Sequence, residues 1–150
     1  MKLSANLGLL WSELPLLERV YKAKEKNFDA VEFQFPYEVD ANELKKAIDK
    51  INLPIIGINT IKGNVSKGDN GLNAVPSRVQ EARSAIDQAI EYAKVIGSKN
   101  IHFMCGITEQ NHNSLKTLVE NLQYAVSQLN DTNIGLSLIH ISEPTRPSRI

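Results

Sequence analysis

Four polar residues interrupt strings that are otherwise apolar. Asn6 lies in Leu3–Leu10, Glu32 in Ala30–Phe35, Asn59 near the end of Pro54–Thr60, and His102 in Asn100–Gly106. A polar group left unpaired in a core costs about 1–3 kcal/mol, so each of the four needs a structural partner or a ligand. The chemistry open to such a set is the binding of a small polar molecule. Glu32 is the sharpest case, because a carboxylate between Val31 and Phe33 either forms a substrate-side wall or is held by structural hydrogen bonds. Asn59 either touches a ligand or anchors the loop that follows. His102 sits early in its string, where a hydrogen-bonded, layer-filling histidine competes with direct substrate contact. Cys105 has no His or Asp spaced to activate it and reads as a small buried hydrophobe rather than a nucleophile.

The elements that must position these residues alternate regularly. Short apolar runs at Leu3–Leu10, Ala30–Phe35, Pro54–Thr60 and Asn100–Gly106 read as strands, and Asn133–Gly135 opens a fifth. Between them lie segments of helical period. The first follows Pro15, with Ser12 as expected N-cap, and the second follows the capping box Asp40-Ala41-Asn42-Glu43 with Leu44, Ala47, Ile48 and Ile51 on one stripe. The third starts at another capping box, Ser77-Arg78-Val79-Gln80, and stops at Gly97, and the fourth runs from about Ser114 to Leu129, with His112 and Asn113 as loop and cap residues. Trp11 in the first connection either caps a mouth or packs in the core. Lys62–Pro76 is a long polar loop with Gly63, Gly68 and Gly71, and loops of that length are usually functional or mobile.

Strand–helix repeated four times with a fifth strand opening predicts an α/β fold with a parallel sheet. A closed barrel and an open doubly wound sheet both satisfy right-handed crossovers, but the first turn lacks a G-x-G-x-x-G phosphate loop. A barrel needs eight units and about 250 residues. The expectation is therefore the N-terminal half of a (β/α)8 barrel spanning residues 1–135, about four βα units plus the start of strand five.

Lys+Arg and Asp+Glu number 17 each, so no global field favours nucleic acid or an anionic membrane. A single cysteine excludes an internal disulfide framework and suits a reducing compartment. The N-terminus is too short and polar before Trp11 for a secretory signal, and no run approaches the length of a membrane span. A cytoplasmic protein is expected.

Residues 136–150 depart from this rhythm. Leu136–Arg146 is also what a transposase adapter used to build sequencing libraries encodes in one frame, so this tail is expected to be non-native and is excluded from fold reasoning.

Several strings now share a direction: Ser4-Ala5-Asn6-Leu7, Phe28-Asp29-Ala30-Val31-Glu32-Phe33 leading into Phe35-Pro36-Tyr37, and Ile58-Asn59-Thr60. To these add Gly63…Gly68…Gly71-Leu72…Pro76-x-Arg78, Glu91-Tyr92-Ala93, and Val119-Glu120-Asn121-Leu122-Gln123-Tyr124-Ala125. In this order they resemble the hydroxypyruvate isomerase family, which includes 2-oxo-tetronate isomerases, within the xylose-isomerase-like barrels. The resemblance covers residues 1–135. It departs at Gly63-Asn64, Asp69 and Pro76-Ser77-Arg78-Val79, where family members tend to carry Gly-Asp, Glu and Pro-Gly-Arg-Glu.

The resemblance implies isomerisation of a small hydroxy-oxo acid, hydroxypyruvate to tartronate semialdehyde in type. A carboxylate removes a proton beside the carbonyl and a second group returns it to the neighbouring carbon. It also implies a divalent metal ion in a full-length parent, with acid/base and metal groups at the ends of strands five to eight and no metal held by residues 1–135. The first of those groups is a Glu in an Ile/Val-Glu-Pro-like string. Glu143-Pro144 matches the dipeptide, but about four residues late and inside the foreign tail, so the match reads as a coincidence and Glu143 is a catalytic candidate by motif alone. Asn6, Glu32, Asn59 and His102 are the expected substrate-binding residues. The chain by itself is expected to be inactive, and its oligomeric state is not legible. Another reaction on the same barrel, an epimerase or an endonuclease, is the competing reading, with a non-enzymatic half-barrel binding domain behind it.

Overall fold

The computed structural model describes residues 1–109 and 111–138. Five strands form one parallel sheet in chain order: β1 (Ser4–Asn6), β2 (Ala30–Glu32), β3 (Ile55–Asn59), β4 (Asn100–His102) and β5 (Gly135–Ser137). They are joined by α1 (Leu16–Glu25), α2 (Ala41–Ile51), α3 (Val79–Ile96) and α4 (His112–Leu129). The strand order never reverses, so there is no switch point of the doubly wound kind, and the arrangement is that of a barrel wall. Each helix packs against the next, α1 on α2, α2 on α3 and α3 on α4, and so the helices cover one side of the sheet.

Period-two alternation sorts the strands between two faces. Ala5, Leu7, Val31, Phe33, Ile101 and Phe103 are buried in the layer shared with Val20, Leu44, Ile48, Ile86 and Ala89 of the helices. Complete burial of one such Leu, Ile or Phe contributes about 1.5–3 kcal/mol, so this layer carries the fold. A bulge between Val31 and Glu32 pairs Val31 with Ile55 but Glu32 with Gly57. Within β3, Ile55 and Ile58 are therefore both buried, while Ile56 and Asn59 remain half-buried toward the other face. Pairing of β4 with β5 runs through Leu136 and Ser137, two residues past the expected break. A parallel ladder is made by backbone groups and accepts any residue but proline.

The helix starts differ in part from expectation. Asp40 does cap α2, its Oδ1 accepting from the Asn42 and Glu43 amides at 3.0 and 3.1 Å. Gly97 does stop α3 at φ +74°. Ser12, however, caps nothing. The N-cap of α1 is Pro15, and Arg19 ties down the preceding turn instead, donating to the carbonyls of Leu14, Leu7 and Ser12 at 2.6–2.9 Å. Ser77 is likewise no cap, because Pro76–Arg78 form a 3-10 turn that carries straight into α3. At α4 the cap is Asn111, whose Oδ1 accepts from the Ser114 amide at 3.0 Å, and His112 and Asn113 begin the helix.

Candidate active site

The face of the sheet away from the helices carries the side chains that alternation sends inward. Asn6, Glu32, Asn59 and His102 all line one cavity of about 640 Å³, together with Gln34, Asn100, Ile56 and Leu136. Register explains the grouping. Asn6 pairs with Glu32 and Asn59 pairs with His102; because Glu32 also pairs with Gly57, these are two same-facing rungs offset by two residues at the C-terminal ends of the strands.

Their surroundings differ. Asn6 turns its Oδ1 to the Gly8 amide at 3.0 Å and so anchors the β1–α1 turn. The Asn59 amide reaches toward the Met104 sulfur at 3.8 Å, while its backbone carbonyl accepts from the Tyr37 hydroxyl. His102 Nδ1 lies 3.2 Å from the Ser137 carbonyl; a carbonyl only accepts, so Nδ1 carries the proton and the ring is oriented by β5. The Glu32 backbone carbonyl accepts from the Leu7 amide at 2.9 Å, but its carboxylate makes no hydrogen bond or ion pair among the described residues. A carboxylate on the inner wall without a protein partner is available to a ligand.

Above this cavity lies a second, about 280 Å³, that shares Gln34, Asn59 and His102 with it and adds Lys62, Asn70 and Cys105. Gln34 and Lys62 escaped the sequence reading. Gln34 could have been found by counting two residues on from Glu32. It also explains Gly8, where a Cβ would lie 2.5 Å from Gln34 Cγ. Lys62 sits in a loop, where no periodicity reports direction. Cys105 remains half-buried, with burial pushing its thiol up, consistent with an inert role. Trp11 is half-buried and packs edge-on against Phe28 at 6.2 Å, part of the core rather than of either cavity.

The Phe35-Pro36-Tyr37 string acquires a physical meaning. Tyr37 and Tyr92 stack edge-to-face at 5.2 Å, and the Tyr92 hydroxyl lies 3.0 and 2.8 Å from the Pro36 and Val39 carbonyls. Burial pushes both phenols up, that of Tyr92 to about 12. The pair clamps the β2–α2 connection across the end of β3, beside Asn59.

Comparison with known proteins decides the family. The model of the xylose isomerase-like TIM barrel matches residues 20–140. The chain belongs to that family. It is 33% identical to 2-oxo-tetronate isomerase of Haemophilus influenzae, covering 98% of this chain and 58% of that protein. It is 37% identical to hydroxypyruvate isomerase of Escherichia coli, covering 91% and 54%. A crystal structure titled AP endonuclease, family 2, from Brucella melitensis superimposes with a TM-score of 0.85 at 34% identity, over 92% of this chain and 55% of that one. The chain thus spans little more than half the length of these relatives.

Within this xylose isomerase-like wall, the described residues offer no cluster of three His, Cys, Asp or Glu able to hold a metal ion. Glu32 and His102 share the inner cavity without a third such side chain among the described residues, so these residues alone do not fit a divalent cation. Glu143 lies outside the described residues. No helix among the described residues is long and apolar enough to cross a membrane.

The long loop is held rather than loose. Asp69 Oδ2 accepts from the Asn64 amide and from Arg78, both at 2.6 Å, and Arg78 forks onto both oxygens of Glu81 at 2.9 and 2.7 Å. A hollow of about 1,110 Å³ outside the sheet borders this triad, but its charges are already paired with one another. Arg78, and then the Asn64 amide, hold the Asp69 carboxyl below its ordinary value. A folded-state pKa below the unfolded one gives stability that is present above the ordinary carboxylate range and lost as pH falls through the folded value. Urea midpoints of the wild type should therefore drop on acidification below about pH 4. Asp69→Asn should start lower at pH 7 and lose less over the same interval; parallel curves for the two would show that the carboxylate contributes nothing to loop attachment.

Proposed function

We propose that this chain supplies half of the active-site wall of an isomerase for a small hydroxy-oxo acid, hydroxypyruvate or a 2-oxo-tetronate. The observation that carries the reading is Glu32, a carboxylate without a partner among the described residues, facing one cavity with Asn6, Asn59 and His102. The names of the relatives support the same substrate class. Such a substrate presents hydroxyl donors and a carbonyl acceptor side by side. Glu32 accepts from a hydroxyl, the Gln34 and Asn59 amides serve both polarities, and His102, oriented by Ser137, fixes one side of the cavity. Proton transfer between adjacent carbons needs a carboxylate base at the reacting carbon, and in this reading that group comes from the fifth strand onward, where Glu143 carries only the motif.

The test is turnover by the intact gene product, given hydroxypyruvate and a 2-oxo-tetronate in parallel. Glu32→Gln should lower kcat/KM by about tenfold to a hundredfold, the loss of one charged hydrogen bond to substrate. Wild-type activity in that variant removes Glu32 from the substrate wall. Turnover of neither acid by the wild type overturns the isomerase reading.

A further inference from the structure

We infer that Lys62 is the carboxylate-binding residue of this site, and that it selects acids over the corresponding neutral hydroxy-ketones. The assignment rests on the proposed isomerase reading and names the group that recognises the acid end of its substrate.

Lys62 lies three residues beyond the end of β3, where the chain turns from strand into the long loop. Its root is fixed, because the Lys62 carbonyl accepts from the Gly71 amide at 2.7 Å. The side chain is half-buried and its Nζ rests 4.8 Å from the centre of the Phe35 ring. It lines the upper cavity, whose floor of Gln34, Asn59 and His102 is also the rim of the inner one. Among the described residues Lys62 enters no ion pair, and of the lysines without one it is the one that lines this cavity.

An aromatic face orients a cation without neutralising it, so Nζ keeps its full demand for an anion. Asn70, Gln34 and Asn59 around it bring amides and no negative charge. A cavity of about 280 Å³ has room for an acid of three or four carbons. The small acid would therefore bind with its carboxylate at Lys62 and its hydroxy-oxo end toward Asn59, His102 and Glu32. The reverse pose sets carboxylate against carboxylate at Glu32. One cation at the mouth and one anion below it thus fix the direction of the substrate.

The experiment measures binding of hydroxypyruvate and of neutral dihydroxyacetone to the intact gene product by calorimetry, with amide NMR shifts of Asn59 and His102 as the locator. Lys62→Met, which keeps the stem over Phe35, should weaken hydroxypyruvate by about tenfold and leave dihydroxyacetone unchanged, and Lys62→Arg should restore the acid. Equal binding of the acid by Lys62→Met and wild type overturns the assignment while the isomerase reading stands. Equal loss for both ligands also overturns it, showing a structural role. A wild type that binds neither ligand overturns both.

Discussion

Gly71→Ala is expected to be the most damaging single-methyl change in the described chain. Gly71 adopts φ +117°, a region that side chains other than hydrogen rarely enter. A Cβ there would collide with the Met104 carbonyl and lie 2.6 Å from the Gly106 nitrogen. Gly106, at φ +97°, faces it in turn, with a Cβ placed 2.8 Å from the Gly71 carbonyl carbon. These are backbone atoms of two segments bridged between Gly71 and Cys105, with the Leu72 and Asn73 amides both donating to Met104 O, so neither side can yield. Strain and overlap together should cost about 3 kcal/mol or more. Gly68→Ala is the control. Its φ is +88° but nothing lies within 4 Å, and only the left-handed penalty of about 1 kcal/mol applies. Urea unfolding of the two variants separates the effects; equal losses would mean that the Gly71–Gly106 approach is not tight. Because Gly71 also holds the Lys62 carbonyl, the damage should spread to the mouth of the site.

Asn121 gives the second large effect. It is fully buried in α4 and donates Nδ2 to the Asn73 carbonyl at 3.0 Å. Asn73, itself 1% exposed, donates to Thr60 Oγ1 at 3.2 Å and to the Met104 carbonyl at 3.1 Å, and Thr60 Oγ1 also accepts from the Met104 amide. This knot joins helix, loop and the ends of β3 and β4 beneath the site. Asn121→Leu leaves the Asn73 carbonyl buried without its donor, a loss of about 2 kcal/mol. Asn121→Asp should be worse at pH 7, about 3 kcal/mol or more, because the Asn121 Oδ1 position already has no partner and a charge there would have none. A buried, unpaired carboxylate has its pKa raised, so the extra destabilisation of the Asp variant should shrink as pH falls toward 4. Chemical denaturation at pH 7 and pH 4 checks both the size and the sign. An Asp variant no less stable than the Leu one at pH 7 would show that water reaches the knot.

Much of the wall was legible in one dimension. Asn6, Glu32, Asn59 and His102 stood out as polar interruptions of apolar strings and do line one cavity, and helical period gave the buried stripe of Leu44, Ala47, Ile48 and Ile51. Asp40 as a cap and Gly97 as a stop are local devices whose partners lie within four residues, and local spacing encodes such devices. Ser12 and Ser77 have the same local signature and fail, because α1 begins only after Pro15 and the 3-10 turn Pro76–Arg78 runs directly into α3.

The sequence by itself determined the parallel strand–helix rhythm, the polar positions within apolar strands, the buried stripe of the second helix, and the family strings. Each follows from a period or a neighbour along the chain. Only the tertiary structure decided that two glycines far apart must touch, that Asn121 reaches the loop through Asn73, and that Lys62 stands over Phe35 at the mouth. Those contacts join residues 27 to 48 positions apart, where no periodicity along the chain specifies which side chain will meet which.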